Sequence, residues 1–257
     1  MKSVKVLGIP YEGYENFQPG VQLAPAHIRW AYDSIEWYSI YQGKKVPEFE
    51  DLGDFYFYSK ENPDSFLKKA IDLLNKVNLL PPFVVLGGDH FITYPVVKYL
   101  YEKGLNFKVI HLDAHLDRRD AMGGNPFSHA SVIKRMEELM GVDNVFTFGY
   151  RSYFPEETPN HAIPFKVLEP LKEFLQKEEG PFYLTLDLDV LDPSILPAVS
   201  NPEPGGITFQ ELMECFKILK DKIIAMDIVE LDPLLDNSRS SSIIAAEIFR
   251  EALILLG

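Results

Sequence analysis

Six short runs rich in apolar and β-branched residues recur along the chain. They are VKVLGI (4–9), FVVLGG (83–88), FKVIHLDA (107–114), NVFTFGY (144–150), FYLTLDLDV (182–190) and IIAMDIVEL (223–231). Between them lie stretches with the spacing of helices: PDSFLKKAIDLLNKV, TYPVVKYLYEK, HASVIKRMEELM, LEPLKEFLQKEE, TFQELMECFKILKD and SSIIAAEIFREALILL. In the fourth, Leu168, Leu171, Phe174 and Leu175 share one face at three-to-four spacing, the mark of an amphipathic helix. Thr208 followed by Glu211 predicts a capping box at the start of the fifth. Strand–helix alternation, with strands that read as near-continuous apolar runs, predicts an α/β fold: a mostly parallel sheet covered on both faces. Only 10–60 is less regular, and YEGYENFQPGVQLAP reads as a long loop before a helix around Ala26–Tyr32. No Gly/Ser linker, low-complexity tract or repeat divides the chain. Its 257 residues, 46% hydrophobic, suffice for one large core, so 1–257 is read as a single domain.

Composition narrows the setting. The one cysteine, Cys215, excludes an intrachain disulfide and a thiolate metal cage, and its place in ELMECFKIL puts it in or near the core. A reducing cytoplasm is the expected compartment. No apolar run is long enough to span a bilayer, and MKSVKVLGIPYEG reads as a first strand, not a signal peptide. The formal charge of −13 argues against nucleic acid or an anionic membrane as partner. It suits a cationic substrate, and equally suits simple solubility.

Chemistry concentrates where four of the strand runs end: Gly87-Gly88-Asp89-His90, Asp113-Ala114-His115-Leu116-Asp117, Asp187-Leu188-Asp189 and Glu230-Leu231-Asp232. Ligands of open parallel sheets bind outside the carboxyl ends of the strands, so these clusters should converge on one rim. In extended chain, residues two apart point the same way. Asp113, His115 and Asp117 therefore share a side, as do Asp187 and Asp189. With His90 they make six candidate ligands, four carboxylates and two imidazoles. Alone, GGD is most often a tight turn and DLD a pair of solvated acids. Together, four carboxylates buried without a cation would be very costly, and two divalent ions match their charge. Oxygen-rich ligation with imidazole and no thiolate favours Mn, Mg, Fe or Co over structural zinc.

At this point the chain resembles the ureohydrolase family, which includes agmatinase and arginase. The matching segments are GGDH (87–90), DAHLD (113–117), FSHAS (127–131), GYRS (149–152), LDLDVLDPS (186–194), NPEPGGIT (201–208) and DIVELDP (227–233), with LGDF (52–55) and PGVQLAPAHIR (19–29) before them. The resemblance implies an arginase-like three-layer α/β/α fold holding two Mn2+ ions, with other divalent ions as alternatives. His90, Asp113, Asp117 and Asp187 would hold one ion; His115, Asp113, Asp187 and Asp189 the other; Asp113 and Asp187 would bridge. Such ions lower the pKa of a shared water. By its motif, Glu230 is implied to face the substrate's guanidinium, and His129 to shuttle a proton to the leaving amine; Asp117 would also assist the attacking oxygen. Family resemblance further implies a homo-oligomer, a trimer or hexamer.

The resemblance is closest to agmatinases, implying conversion of agmatine to putrescine and urea. The loop 118–128 has the length and FSH ending of agmatinases and lacks the polar loop with which arginases grip a carboxylate. Arg151-Ser152-Tyr153-Phe154 likewise lacks acids that would hold an α-ammonium. Two departures from the family pattern, Val199-Ser200-Asn201 and Ala130, fall in pocket loops. They leave open an N-substituted agmatine, a guanidino acid, formimino-glutamate or arginine, and Arg118 and Arg119 are candidates to bind a substrate carboxylate. A one-zinc deacylase would not need His90 or Asp117; a metal-binding relative without catalysis is the reading of another class. His27 and His161 have no expected partners. His111 is placed within its strand, turned from the neighbours of His115 if the ladder is regular.

Overall fold

The computed structural model describes residues 3–13, 18–57 and 61–257. Ten strands, β1 (Val4–Ile9), β2 (Tyr38–Ser39), β3 (Lys44–Lys45), β4 (Phe49–Asp54), β5 (Phe83–Gly87), β6 (Lys108–Leu112), β7 (Val145–Tyr150), β8 (Ala162–Pro164), β9 (Phe182–Asp187) and β10 (Ile223–Val229), alternate with seven α-helices. The helices are α1 (Ala24–Tyr32), α2 (Pro63–Val77), α3 (Thr93–Glu102), α4 (Val132–Met140), α5 (Leu168–Phe174), α6 (Phe209–Leu219) and α7 (Ser240–Leu256). Eight strands form one sheet in the order β4-β1-β5-β10-β9-β6-β7-β8. Every pairing in it is parallel; β2 and β3 make a separate antiparallel hairpin.

The apolar runs are continuous because each strand feeds two cores. Val6, Val84, Ile110, Leu184 and Met226 pack with residues of α1, α5, α6 and α7. Their neighbours Leu7, Val85, Val109, Tyr183 and Ala225 pack with residues of α2, α3 and α4 on the other face. The helix ends follow local chemistry. Asn62 Oδ1 accepts from the Asp64 and Ser65 amides at 3.0 and 3.4 Å to start α2, and Thr208 with Glu211 forms the expected capping box on α6.

Four elements, α5, β4, β8 and α1, depart from expectation. α5 stops at Phe174, before the polar Gln176-Lys177-Glu178-Glu179, which offers no apolar face to bury. The edge strands β4 and β8 went unread because FEDLGD and AIP carry too little apolar alternation. The expected loop at 11–25 includes 14–17, which lie outside the described residues, and α1 begins at Ala24, two residues before the expected start.

Candidate metal centre

β5, β10, β9 and β6 are consecutive neighbours in the middle of the sheet. Their carboxyl ends therefore bring the four charged motifs to one rim. Leaving β5, the chain turns sharply through Gly88, where any side chain would strike the Tyr11 carbonyl oxygen at 2.2 Å. Asp89 caps the following turn by accepting from the Phe91 amide at 2.8 Å, which aims His90 into the rim.

His90 Nδ1 lies 3.1 Å from Asp187 Oδ2, 3.2 Å from Asp113 Oδ2 and 3.3 Å from Asp117 Oδ2. One ring nitrogen thus faces three carboxylate oxygens, and a single N–H cannot satisfy three acceptors. Beside them, His115 Nδ1 lies 2.8 Å from Asp189 Oδ2 and 3.4 Å from Asp113 Oδ1. Two groups have donor atoms close enough to share an ion: His90, His111, Asp113 and Asp117, and then Asp113, His115 and Asp189. The backbone holds the far oxygens. Asp187 Oδ1 accepts from the Asp189 amide at 2.8 Å and Asp189 Oδ1 from the Ala114 amide at 2.9 Å, leaving Oδ2 of each for the cluster.

None of His90, Asp113, Asp117, Asp187, Asp189 and Glu230 is more than 8% exposed, so water screens little of their mutual repulsion. Burial, then the charges of Asp189 and Asp113, push the Asp187 carboxyl well above its ordinary range. Burial, then Asp89 and Asp187, do the same to Glu230. At Asp113 burial works in the same direction, but His111, His115 and His90 outweigh it and hold the group well below that range. The residues present fit divalent cations: imidazole and carboxylate donors, no thiolate, and more negative charge than a buried site can keep alone.

The cluster floors a cavity of about 220 Å³ whose walls include Arg119, His129, Ala130, Tyr153, Phe154, Glu157, Val199, Ser200, Asn201, Glu203 and Glu230. Asp117 and Glu230 reach it from left-handed backbone, at φ 52° and 68°, a conformation that costs energy in non-glycine residues and gathers at functional sites. One Glu230 oxygen accepts from the His90 amide at 2.6 Å. His129 Nδ1 is buried without a hydrogen-bond partner, 3.6 Å from Asp89 Oδ2. Burial works to lower this imidazole, but the Asp89 carboxylate lifts it to about 9.

Arg118 corrects an expectation. It is buried and committed, with Nε 2.8 Å from Glu137 Oε1 and further bonds to Thr147 and Asn160, so it has no guanidinium free for a substrate. Arg119 does border the cavity, stacked 3.5 Å over the Phe154 ring. His111 is also corrected: Nε2 lies 2.7 Å from Asp113 Oδ2, so it faces the cluster. The two-residue spacing that groups Asp113 with His115 places His111 beside Asp113 as well, and that signal was available in the sequence. Asp89, Thr185, Asp227 and Glu203 went unassigned. His161 finds Asp143 at 3.0 Å on the surface.

The profile of the Arginase family matches residues 2–255. The agmatinase of Bacillus anthracis is 33% identical over 98% of this chain and 91% of its own length. That of Bacillus subtilis is 34% identical over 96% and 89%. The chain belongs to the arginase family. A crystal structure from Clostridium difficile, of a protein put forward as an agmatinase, superposes with a TM-score of 0.91 at 31% identity, covering 99% of this chain and 96% of that one. As an arginase-family member with the arginase-like fold, the chain is a ureohydrolase enzyme. Family membership implies a binuclear divalent-metal site, for which the His/Asp cluster supplies the candidate residues. Among the described residues no helix is long and apolar enough to cross a membrane.

Proposed function

We propose that the chain hydrolyses agmatine to urea and putrescine with two divalent ions, manganese in the cell, held by His90, Asp113, Asp117 and Asp187 and by His115, Asp113, Asp187 and Asp189. The observation that carries the two-ion reading is the convergence of three carboxylate oxygens on His90 Nδ1 beside a second His–Asp group sharing Asp113. Agmatine is favoured by the likeness to the Bacillus anthracis and Bacillus subtilis agmatinases, and by a cavity lined by acids and by the rings of Tyr153 and Phe154.

When bound, the ions supply Lewis acidity and a water whose pKa falls toward neutrality. Glu230 accepts N–H bonds from the guanidinium with the oxygen not bonded to the His90 amide, and so fixes the planar group's orientation. Water oxygen adds to the guanidinium carbon, its hydrogens pass by way of Asp117 and His129 to the alkyl nitrogen, and the bond from the carbon to that nitrogen breaks. His129 gives the departing amine its proton; the hydrogen-bond capacity of its Nδ1, unused in the protein, is turned to Asp89. Tyr153 and Phe154 pack the tetramethylene chain. Arg119, stacked on Phe154 at the wall, keeps a guanidino acid as the second reading. We further propose that the enzyme acts in the cytoplasm as a homo-oligomer, a trimer or hexamer.

A substrate panel tests this. The manganese-loaded protein should release urea from agmatine and little from arginine, a guanidino acid or N-aminopropylagmatine, and no formamide from formimino-glutamate. A preference for the guanidino acid would overturn the substrate, and no hydrolysis of any panel member would leave a metal-binding relative without catalysis.

A further inference from the structure

One layer beneath the cluster, a polar row crosses four strands. Thr147 on β7 stands in register with His111 on β6, His111 with Thr185 on β9, and Thr185 with Asp227 on β10. All four are fully buried. A row of this kind must satisfy its own donors and acceptors, so its hydrogens can be placed by elimination.

At one end, Arg118 Nη1 lies 3.0 Å from Thr147 Oγ1. A guanidinium only donates, so the threonine oxygen accepts there. Its single hydroxyl hydrogen then goes to its other partner, His111 Nδ1, at 3.0 Å. Nδ1 is thereby an acceptor, and the ring hydrogen sits on Nε2, which donates to Asp113 Oδ2 at 2.7 Å. At the other end, Thr185 donates to Asp227 Oδ1 at 2.7 Å and accepts from His90 Nε2 at 2.9 Å. His90 thereby turns its Nδ1 to the carboxylates.

Two buried histidines with ring centroids 5.2 Å apart are thus given opposite tasks. His111 is close enough to the cluster to be counted among its possible ion ligands. We infer instead that His111 is a positioning residue: an imidazole whose Nδ1 accepts from Thr147 and whose Nε2 hydrogen is given to Asp113, so that it does not coordinate and holds the Asp113 carboxylate in place for both ions. This rests on the reading of Asp113 as a shared ligand. Partners in the second layer of this kind typically set metal affinity within one or two decades.

The test uses the full chain. Two-dimensional 15N–1H NMR of the histidine-labelled, metal-free protein should show His111 protonated on Nε2 alone, and loading with diamagnetic Zn2+ should leave that pattern intact. Thr147→Val should abolish it. Hydrogen on Nδ1 in the wild type, or a coordinated-nitrogen shift at His111 with Zn2+, overturns the inference. By chelator competition, His111→Phe should weaken Zn2+ binding about 10–100-fold. His111→Gln, whose amide can donate from the place of Nε2, should recover most of the loss. If His111→Phe does not fold, the wild-type spectra still decide. Wild-type protein that takes up fewer than two Zn2+ per chain defeats the two-ion reading. Two ions in the wild type with unchanged affinity in His111→Phe defeats the role of His111.

Discussion

The same three central strands present two different chemistries on their two faces. Toward α1, α5, α6 and α7 they offer Ile110, Leu112, Leu184, Leu186, Met226 and Ile228, all buried in an apolar core. Toward the other side the alternate residues begin apolar, with Val109, Tyr183 and Ala225. They then turn polar as His111 and Asp113, Thr185 and Asp187, and Asp227. The switch happens within five residues of each strand. One face stabilises the fold by excluding water; the other, near the carboxyl ends, collects the buried carboxylates and imidazoles of the candidate metal centre. Stability and function are therefore separable along β9, residue by residue.

That separation can be broken in graded steps. The largest effect is expected from Asp187→Ala, which removes a shared ligand: both ions should be lost together and urea release should fall to background, with metal content read by elemental analysis. A variant that keeps two ions per chain would remove Asp187 from the bridge. Leu184→Ala, three residues away on the opposite face, should lower unfolding free energy by about 2–5 kcal/mol through transfer loss and a cavity. Denaturant unfolding of the metal-free protein measures it, and the folded variant should still bind two ions. Loss of metal from this variant would mean that the two faces are not independent. Glu230→Gln should keep both ions and fold normally while kcat/KM for agmatine falls about 10²-fold, the scale of removing one charge-matched contact to a reacting group. Unchanged kinetics would return Glu230 to its structural bond with the His90 amide.

Much of this was legible in the sequence because parallel strands and their carboxyl ends obey simple spacing. The six long apolar runs became strands, and the clusters at His90, Asp113, Asp187 and Glu230 met because their strands are neighbours in the sheet. The strand order itself could not be read, since it depends on which helices cross which face. The edge strands β4 and β8 were hidden because a strand paired on one side needs no apolar run. Arg118 looked free to bind substrate because sequence does not reveal Glu137, nineteen positions on, closing over it from α4. The polar row was masked for a similar reason. Thr147, Thr185 and Asp227 each look like a single interruption of an apolar strand, and only strand register aligns them with His111.

Everything proposed for this rim requires its histidines and aspartates to hold two divalent ions. Anomalous scattering at the manganese edge, from crystals grown with Mn2+, tests it most directly. Two peaks are predicted, one among His90, Asp113, Asp117 and Asp187 and one among His115, Asp113, Asp187 and Asp189. A single peak, or none at this rim in a well-ordered crystal, would contradict it.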